Sequence, residues 1–172
     1  MATADVRPGE TVLVIGATGG VGTAVIPLLV AAKARVIATA TTADADVLRA
    51  LGAEQIIGYA ETEYPTSVDV AFNLTRPSDH LTAIARTIRP GGRLLTITYP
   101  VPRQEWIGRD DVALRFVLDM DGTLGGMREV GELAEVGRLR ATISRRYTLG
   151  QGPRACVDFV RRHTTGKLVV TI

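Results

Sequence analysis

The sequence predicts an α/β fold: a doubly wound, parallel, six-stranded sheet followed by a C-terminal strand–helix–strand extension. Three observations predict it. Short apolar runs alternate with helix-like segments along most of the 172 residues, which is typical of a parallel sheet with right-handed crossovers. The first run, residues 11–15, lacks polar alternation, as expected of a strand covered on both faces. A glycine-rich turn, residues 16–22, follows it directly.

The first four strands and the two helices between them follow from local composition. Val- and Ile-containing runs predict the strands, and the uncharged segment after the glycine turn predicts the first helix. Gly52 ends the second helix as a C-cap residue. The strands are expected at residues 11–15, 35–39, 55–58 and 68–73, and the helices at residues 20–32 and 43–51.

The remaining elements follow the same rules. Ser78 is the expected N-cap of a third helix, residues 78–88, which Pro90-Gly91-Gly92 ends. Two further strands complete the sheet, and the chain then divides into two units, residues 1–140 and residues 141–172. The later elements are strands at residues 93–98, 112–118, 141–147 and 167–172 and helices at residues 127–139 and 153–163.

Composition excludes several classes of site. The 20 Lys and Arg residues nearly balance 18 Asp and Glu residues and form no long block, which argues against nucleic-acid binding. The single cysteine, Cys156, excludes an intramolecular disulfide and is expected to be a buried helix residue. His80 and His163 lie far apart, so we expect no metal site.

A membrane segment is also not expected. Residues 11–32 carry no charge, but the glycine turn and Pro27 interrupt them. Asp5 and Glu10 precede the segment where a signal peptide would be positively charged. The sequence therefore predicts a cytoplasmic protein.

The glycine-rich turn predicts an anion site. Four glycines in seven residues allow a tight turn and close approach of a ligand to the backbone, and the N-terminus of the following helix attracts a pyrophosphate. Ala17 stands where the usual dinucleotide pattern has its first glycine. The predicted contact residues are Gly16, Thr18, Gly19, Gly20, Val21 and Gly22.

Several motifs together resemble the cofactor-binding (Rossmann) domain of the medium-chain dehydrogenase/reductase superfamily, on its zinc-independent quinone oxidoreductase branch. The resemblance extends from about residue 5 to the C-terminus. The matching segments are RPGETVLV at residues 7–14, GATGGVG at residues 16–22, LRALGA at residues 48–53, VDVAFN at residues 68–73, RPGGRL at residues 89–94 and GKLVV at residues 166–170.

The resemblance implies that the dinucleotide and the substrate are bound by different domains. Residues 1–140 would be the dinucleotide-binding domain, and residues 141–172 would pack on a barrel-like catalytic domain that precedes this region in the family and is expected to be absent here. A homodimer or a separate catalytic-domain chain would then cover apolar residues of the extension. These residues are Ile143, Tyr147, Val157, Phe159 and Val160.

The end of the second strand bears on coenzyme choice. Thr41 and Thr42 stand where NAD-preferring sites place an acidic residue, and Asp44 stands where relatives commonly carry a lysine. We therefore expect NADP, with NAD as the alternative. The resemblance also implies that Tyr59 lies near the adenosine. Asn73 and Thr98 follow the fourth and fifth strands at the edge where the crevice is expected.

Three functions remain open at this stage. The first is an NADPH-dependent oxidoreductase of the quinone or enoyl reductase type, with catalysis only when the chain is joined to a catalytic domain. No residue stands out as a general acid or base, and no catalytic residue is assigned. The second is a stand-alone module that binds or senses a dinucleotide. The third is a repurposed scaffold without redox chemistry, since fold alone does not determine function.

Overall fold

The computed structural model describes residues 2–120, 122 and 126–172 and contains the predicted six-stranded parallel sheet. The strand order is β3-β2-β1-β4-β5-β6, and every neighbouring pair is parallel. This is the doubly wound order, which confirms the predicted fold class. The strands are β1 (Thr11–Ile15), β2 (Arg35–Thr39), β3 (Gln55–Ile57), β4 (Val68–Asn73), β5 (Ile88–Thr96) and β6 (Ala113–Phe116).

Helices cover both faces of the sheet. Val12 and Val14 of β1 belong to one apolar cluster, whereas Leu13 and Ile15 belong to the other, and none of the four is more than 1% exposed. This two-sided burial explains the unbroken apolar run of β1. The helices are α1 (Gly22–Ala31), α2 (Ala45–Ala50), α3 (Thr82–Arg86), α4 (Met127–Glu135) and α5 (Gly152–Arg161).

Two local predictions were wrong around α3 and β5. Ser78 does not cap α3, which begins at Thr82, because the Ser78 hydroxyl donates to the carbonyl of Thr98 at 2.5 Å. Strand β5 begins at Ile88 and includes Pro90-Gly91-Gly92, which were expected to end the third helix and to precede a strand starting at residue 93. An irregular register opposite β4 accommodates this segment.

The extension forms a separate small sheet. Strands β7 (Ile143–Thr148) and β8 (Lys167–Thr171) pair in parallel, and α5 connects them. Buried Asp158 accepts a hydrogen bond from the Tyr147 hydroxyl at 2.9 Å and pairs with Arg162 at 3.1 Å. Burial would raise the pKa of Asp158, but chiefly the Tyr147 hydrogen bond, with the nearby arginines, holds that pKa below its usual range.

The exposure of the extension corrects two expectations. Tyr147 is buried inside the extension itself, so it needs no external partner, and Cys156 is exposed rather than buried. Phe159 and Val160 are 69% and 80% exposed, and Val157 is also exposed. An uncovered apolar surface therefore lies on α5.

No helix in the described part of the chain is both long and apolar enough to cross a membrane.

Candidate functional site

The glycine-rich loop between β1 and α1 leaves an uncapped helix N-terminus at the carboxyl edge of the sheet. Inside the loop, the Gly16 N–H donates to the Thr39 hydroxyl at 3.1 Å and the Gly19 N–H donates to the Gly16 carbonyl at 3.2 Å. None of the described side chains caps α1. The backbone N–H groups of residues 20–22 have no hydrogen-bond partner among the described residues. They are the groups that could hold an anion.

The glycines of this loop have different reasons for lacking a side chain. Gly16 has a φ of +82°, in the left-handed region. A Cβ on Gly22 would lie 2.6 Å from the Cα and the carbonyl carbon of Ala17, so α1 could not begin this close to β1 with any other residue. A Cβ on Gly19 would meet only ordinary contacts, at 3.4 Å. Gly16 and Gly22 therefore shape the loop, while Gly19 leaves its surface open.

A pocket of about 460 Å³ lies beside the loop, at the carboxyl ends of β2 and β3. Thr41, Thr42 and Tyr59, three of the predicted cofactor residues, line it. Arg49 and Glu63 line it as well, and sequence reasoning missed both. The Glu63 carboxylate accepts the N–H of Gly58 at 2.7 Å. Arg49 belongs to the LRALGA segment at residues 48–53, but that segment was used only for the family resemblance and its arginine was not assigned to the site.

Tyr59 connects the pocket with the loop. Its hydroxyl lies 3.5 Å from the hydroxyl of Thr18, and its carbonyl accepts a hydrogen bond from the Arg76 guanidinium at 3.3 Å. Thr18 is buried, whereas Tyr59 is 38% exposed. The aromatic ring therefore stands at the junction of the pocket and the glycine loop, with an exposed surface available for stacking.

Asp44 ties the end of β2 to the extension. Its carboxylate accepts hydrogen bonds from the hydroxyls of Thr165 and Thr41, the latter at 2.6 Å, and lies 3.1 Å from Nε2 of His163. Burial alone would raise the pKa of Asp44. The two hydroxyls and the charge of His163 outweigh burial and hold that pKa below 3.8, its ordinary value. Asp44 does not line the pocket; its carboxylate is engaged by the extension.

This contact predicts a pH dependence that Asp44→Asn should remove. The pKa of Asp44 is lowered in the folded state, so its stabilisation is complete above pH 3.8 and is lost as the pH falls through the lowered pKa. The wild type should exceed the variant by about 1–2 kcal/mol in free energy of unfolding at pH 7. Urea denaturation between pH 5 and pH 2 should show this difference narrowing as Asp44 becomes protonated. Asp46→Asn is the control, because the Asp46 side chain is 97% exposed. A difference in free energy of unfolding between the wild type and Asp44→Asn that does not change with pH would show that the Asp44 carboxylate does not stabilise the fold.

Asn73 and Thr98, predicted at the ends of the fourth and fifth strands, meet in a buried polar network. The Asn73 amide nitrogen donates to the hydroxyls of Thr96 and Thr98 at 2.9 and 3.0 Å and to the Arg76 carbonyl at 2.7 Å. The Asn73 amide oxygen accepts the Arg76 N–H at 2.9 Å. Ser78 and Thr96 belong to the same network; Ser78 was predicted only as a helix cap, and neither was predicted as a site residue. The network holds the carboxyl ends of β4 and β5 together.

Within residues 2–120, 122 and 126–172, no group of three or more His, Cys, Asp or Glu side chains could hold a metal ion.

A parallel doubly wound sheet, an open helix N-terminus after a glycine turn and an adjoining pocket define a dinucleotide-binding domain of the Rossmann type. The sequence profile described as zinc-binding dehydrogenase matches residues 51–170. The chain belongs to this family, and the resemblance to medium-chain dehydrogenases/reductases is confirmed.

Individual relatives agree with this assignment. The chain is 34% identical to the spectinabilin polyketide synthase system protein NorB of Streptomyces orinoci, over 98% of the chain and 8% of that protein. It is 27% identical to a chloroplastic NADPH-dependent alkenal/one oxidoreductase of Arabidopsis thaliana, over 94% of the chain and 40% of that enzyme. The quinone oxidoreductase structure from Coxiella burnetii superposes with a TM-score of 0.84 at 26% identity, over 99% of this chain and 55% of that one. The chain thus spans about half or less of each of these relatives.

Proposed function

We propose that this chain is the NADPH-binding domain of a zinc-independent oxidoreductase that reduces a quinone or a carbon–carbon double bond conjugated to a carbonyl. The observation that carries the proposal is the uncapped N-terminus of α1 beside the pocket at the ends of β2 and β3. An anion site and a nucleoside-sized pocket stand next to each other there, as a dinucleotide requires. The name of the Arabidopsis relative supports the reaction class.

The residues of the site fit the cofactor. The N–H groups of Gly20, Val21 and Gly22 would hold the diphosphate, and Gly19 lets it approach the loop. The adenosine would occupy the pocket, with Thr41 and Thr42 at its polar edge and the Tyr59 ring at its junction with the loop. The nicotinamide would lie toward the ends of β4 and β5, where the network of Asn73, Thr96 and Thr98 keeps the edge in one geometry.

NADPH supplies a hydride to the substrate when bound. The described residues bind and orient it, and none of them is assigned as a proton donor. The remaining parts of the active site would come from a catalytic domain.

That domain, or a second copy of this chain, would cover the apolar surface of α5, which comprises Val157, Phe159 and Val160. Light scattering of the purified chain should show a dimer if a second copy covers it. A monomer would favour the catalytic domain as the partner.

Isothermal titration calorimetry with NADPH and NADH tests the binding part of the proposal. Saturable binding of NADPH is expected, and no binding of either nucleotide at millimolar concentration would refute it. The reaction is then tested with the chain joined to a catalytic domain. Turnover of a quinone or an enone is measured as the loss of reduced-nicotinamide absorbance. Binding without turnover in that form would favour a stand-alone dinucleotide module.

Arg49→Ala is expected to weaken NADPH binding about 5- to 10-fold while leaving NADH binding unchanged. Arg49 lines the pocket, and its side chain is 59% exposed and paired with Asp46 at 3.0 Å. It would exchange this partner for the 2′-phosphate, a stronger ligand for a guanidinium. Calorimetric Kd values for both nucleotides measure the effect. Exposed Arg86→Ala, on α3, is the control. An equal loss for NADPH and NADH would place the 2′-phosphate elsewhere.

A further inference from the structure

Lys167 lies against the glycine loop although it is 147 positions away from Gly20 in the sequence. It is one of only two lysines in the chain; the other is Lys33. A Cβ built on Gly20 would lie 2.5 Å from Nζ of Lys167 and 2.5 Å from its Cδ. The ammonium group therefore rests on the surface of the loop, next to the open N–H groups of residues 20–22.

Backbone contacts set the position of this lysine. The Gly166 N–H donates to the Thr18 carbonyl at 2.7 Å, and Gly19 and Gly166 form a parallel bridge. The Lys167 N–H donates to the Thr142 carbonyl at 2.9 Å. Gly166 has a φ of +76°, and a Cβ there would lie 2.8 Å from the Thr142 carbonyl carbon. The start of β8 therefore makes backbone hydrogen bonds to the glycine loop on one side and to Thr142, just before β7, on the other.

The ammonium group of Lys167 has no acidic partner within the described part of the chain. The N-terminus of α1 adds a second positive potential at the same place. Two positive groups side by side repel each other unless an anion lies between them, so the arrangement favours a negatively charged ligand.

We propose that Lys167 is a ligand of the diphosphate of the bound dinucleotide, supplied to the glycine loop by the C-terminal extension. This inference rests on the proposed function. It adds a charged side chain to a site that the loop alone would form with backbone groups. It also makes cofactor affinity depend on the docking of β8.

Lys167→Gln should raise the Kd for NADPH about ten-fold, as expected for loss of one charge-assisted contact at an exposed position. The salt dependence of binding should weaken as well, because one fewer charge takes part. Lys167→Arg should restore most of the affinity. Lys33→Gln is the matched control, since Lys33 lies beyond the far end of α1. Thermal denaturation should give the same Tm for all three variants as for the wild type.

A second readout needs neither activity nor a variant at the site. Reductive methylation with ¹³C-formaldehyde labels both lysines and the N-terminal amine. Lys33→Gln identifies the Lys33 signal, and the N-terminal amine is recognised by its lower titration range, which leaves the third signal for Lys167. NADPH should shift the Lys167 signal and leave the Lys33 signal in place. Wild-type binding combined with an unshifted Lys167 signal, or with unchanged affinity in Lys167→Gln, would refute this inference alone. Failure of the wild type to bind NADPH would refute the proposed function, and this inference with it.

Discussion

Gly22→Ala is expected to lower the free energy of unfolding by about 2–4 kcal/mol and to abolish dinucleotide binding. The added methyl group would lie 2.6 Å from the Cα and carbonyl carbon of Ala17, which belong to the backbone and cannot rotate away. The first turn of α1 would have to move away from β1, and the N–H groups that face the ligand would move with it. Urea denaturation and calorimetry with NADPH measure the two effects.

Two other glycines provide controls for the added methyl group. Gly131→Ala, inside α4 with open space around it, should be neutral or stabilise by up to about 1 kcal/mol. Gly19→Ala meets only ordinary contacts and should fold normally while binding NADPH more weakly. Wild-type stability in Gly22→Ala would show that the loop can rearrange and that the close approach is not required.

Arg93→Met should cost about 3–5 kcal/mol of folding free energy, the loss expected when one partner of a buried ion pair is removed. Arg93 and Glu10 are 2.5 Å apart, and both side chains are only 9% exposed. Arg93 also donates to the carbonyls of Ala4 and Asp5 at 2.9 and 3.1 Å, and these bonds hold the N-terminal segment against β5. Methionine fills similar volume and leaves the Glu10 carboxylate without this guanidinium. Chemical denaturation at pH 7 gives the value.

A double-mutant cycle separates the pair from its surroundings. Glu10→Gln combined with Arg93→Met should be more stable than the sum of the single losses predicts, because the buried carboxylate that has lost its nearest guanidinium is also removed. Exposed Arg86→Met should change stability by less than about 0.5 kcal/mol. Additive losses in the double variant would show that the two side chains act independently.

Much of the fold could be predicted from local pattern. The bounds of β1, β2 and β4 match the structure residue for residue, because each of these strands has a mostly apolar, buried interior that polar or turn-forming residues flank. The ends of α3 and β5 could not be predicted in this way. Ser78 resembles a helix cap locally, but its hydroxyl bonds to Thr98, twenty positions away. A proline and two glycines predict a turn between the third helix and the fifth strand, yet β5 includes these residues and pairs with β4 on both sides of them.

The candidate site likewise has parts that the sequence predicts and parts that only the tertiary structure shows. The sequence by itself determined the parallel doubly wound fold and the glycine loop, since both are visible in local patterns: apolar runs that alternate with helix-like segments, and four glycines in seven residues. Only the tertiary structure shows that Arg49 lines the pocket and that Lys167 contacts Gly20. It also shows that Asp44 accepts a hydrogen bond from Thr165, which is 121 positions away in the sequence. The physical reason is that charge complementarity depends on distance in space. The order of residues along the chain does not specify which charges the docking of the extension brings to the site.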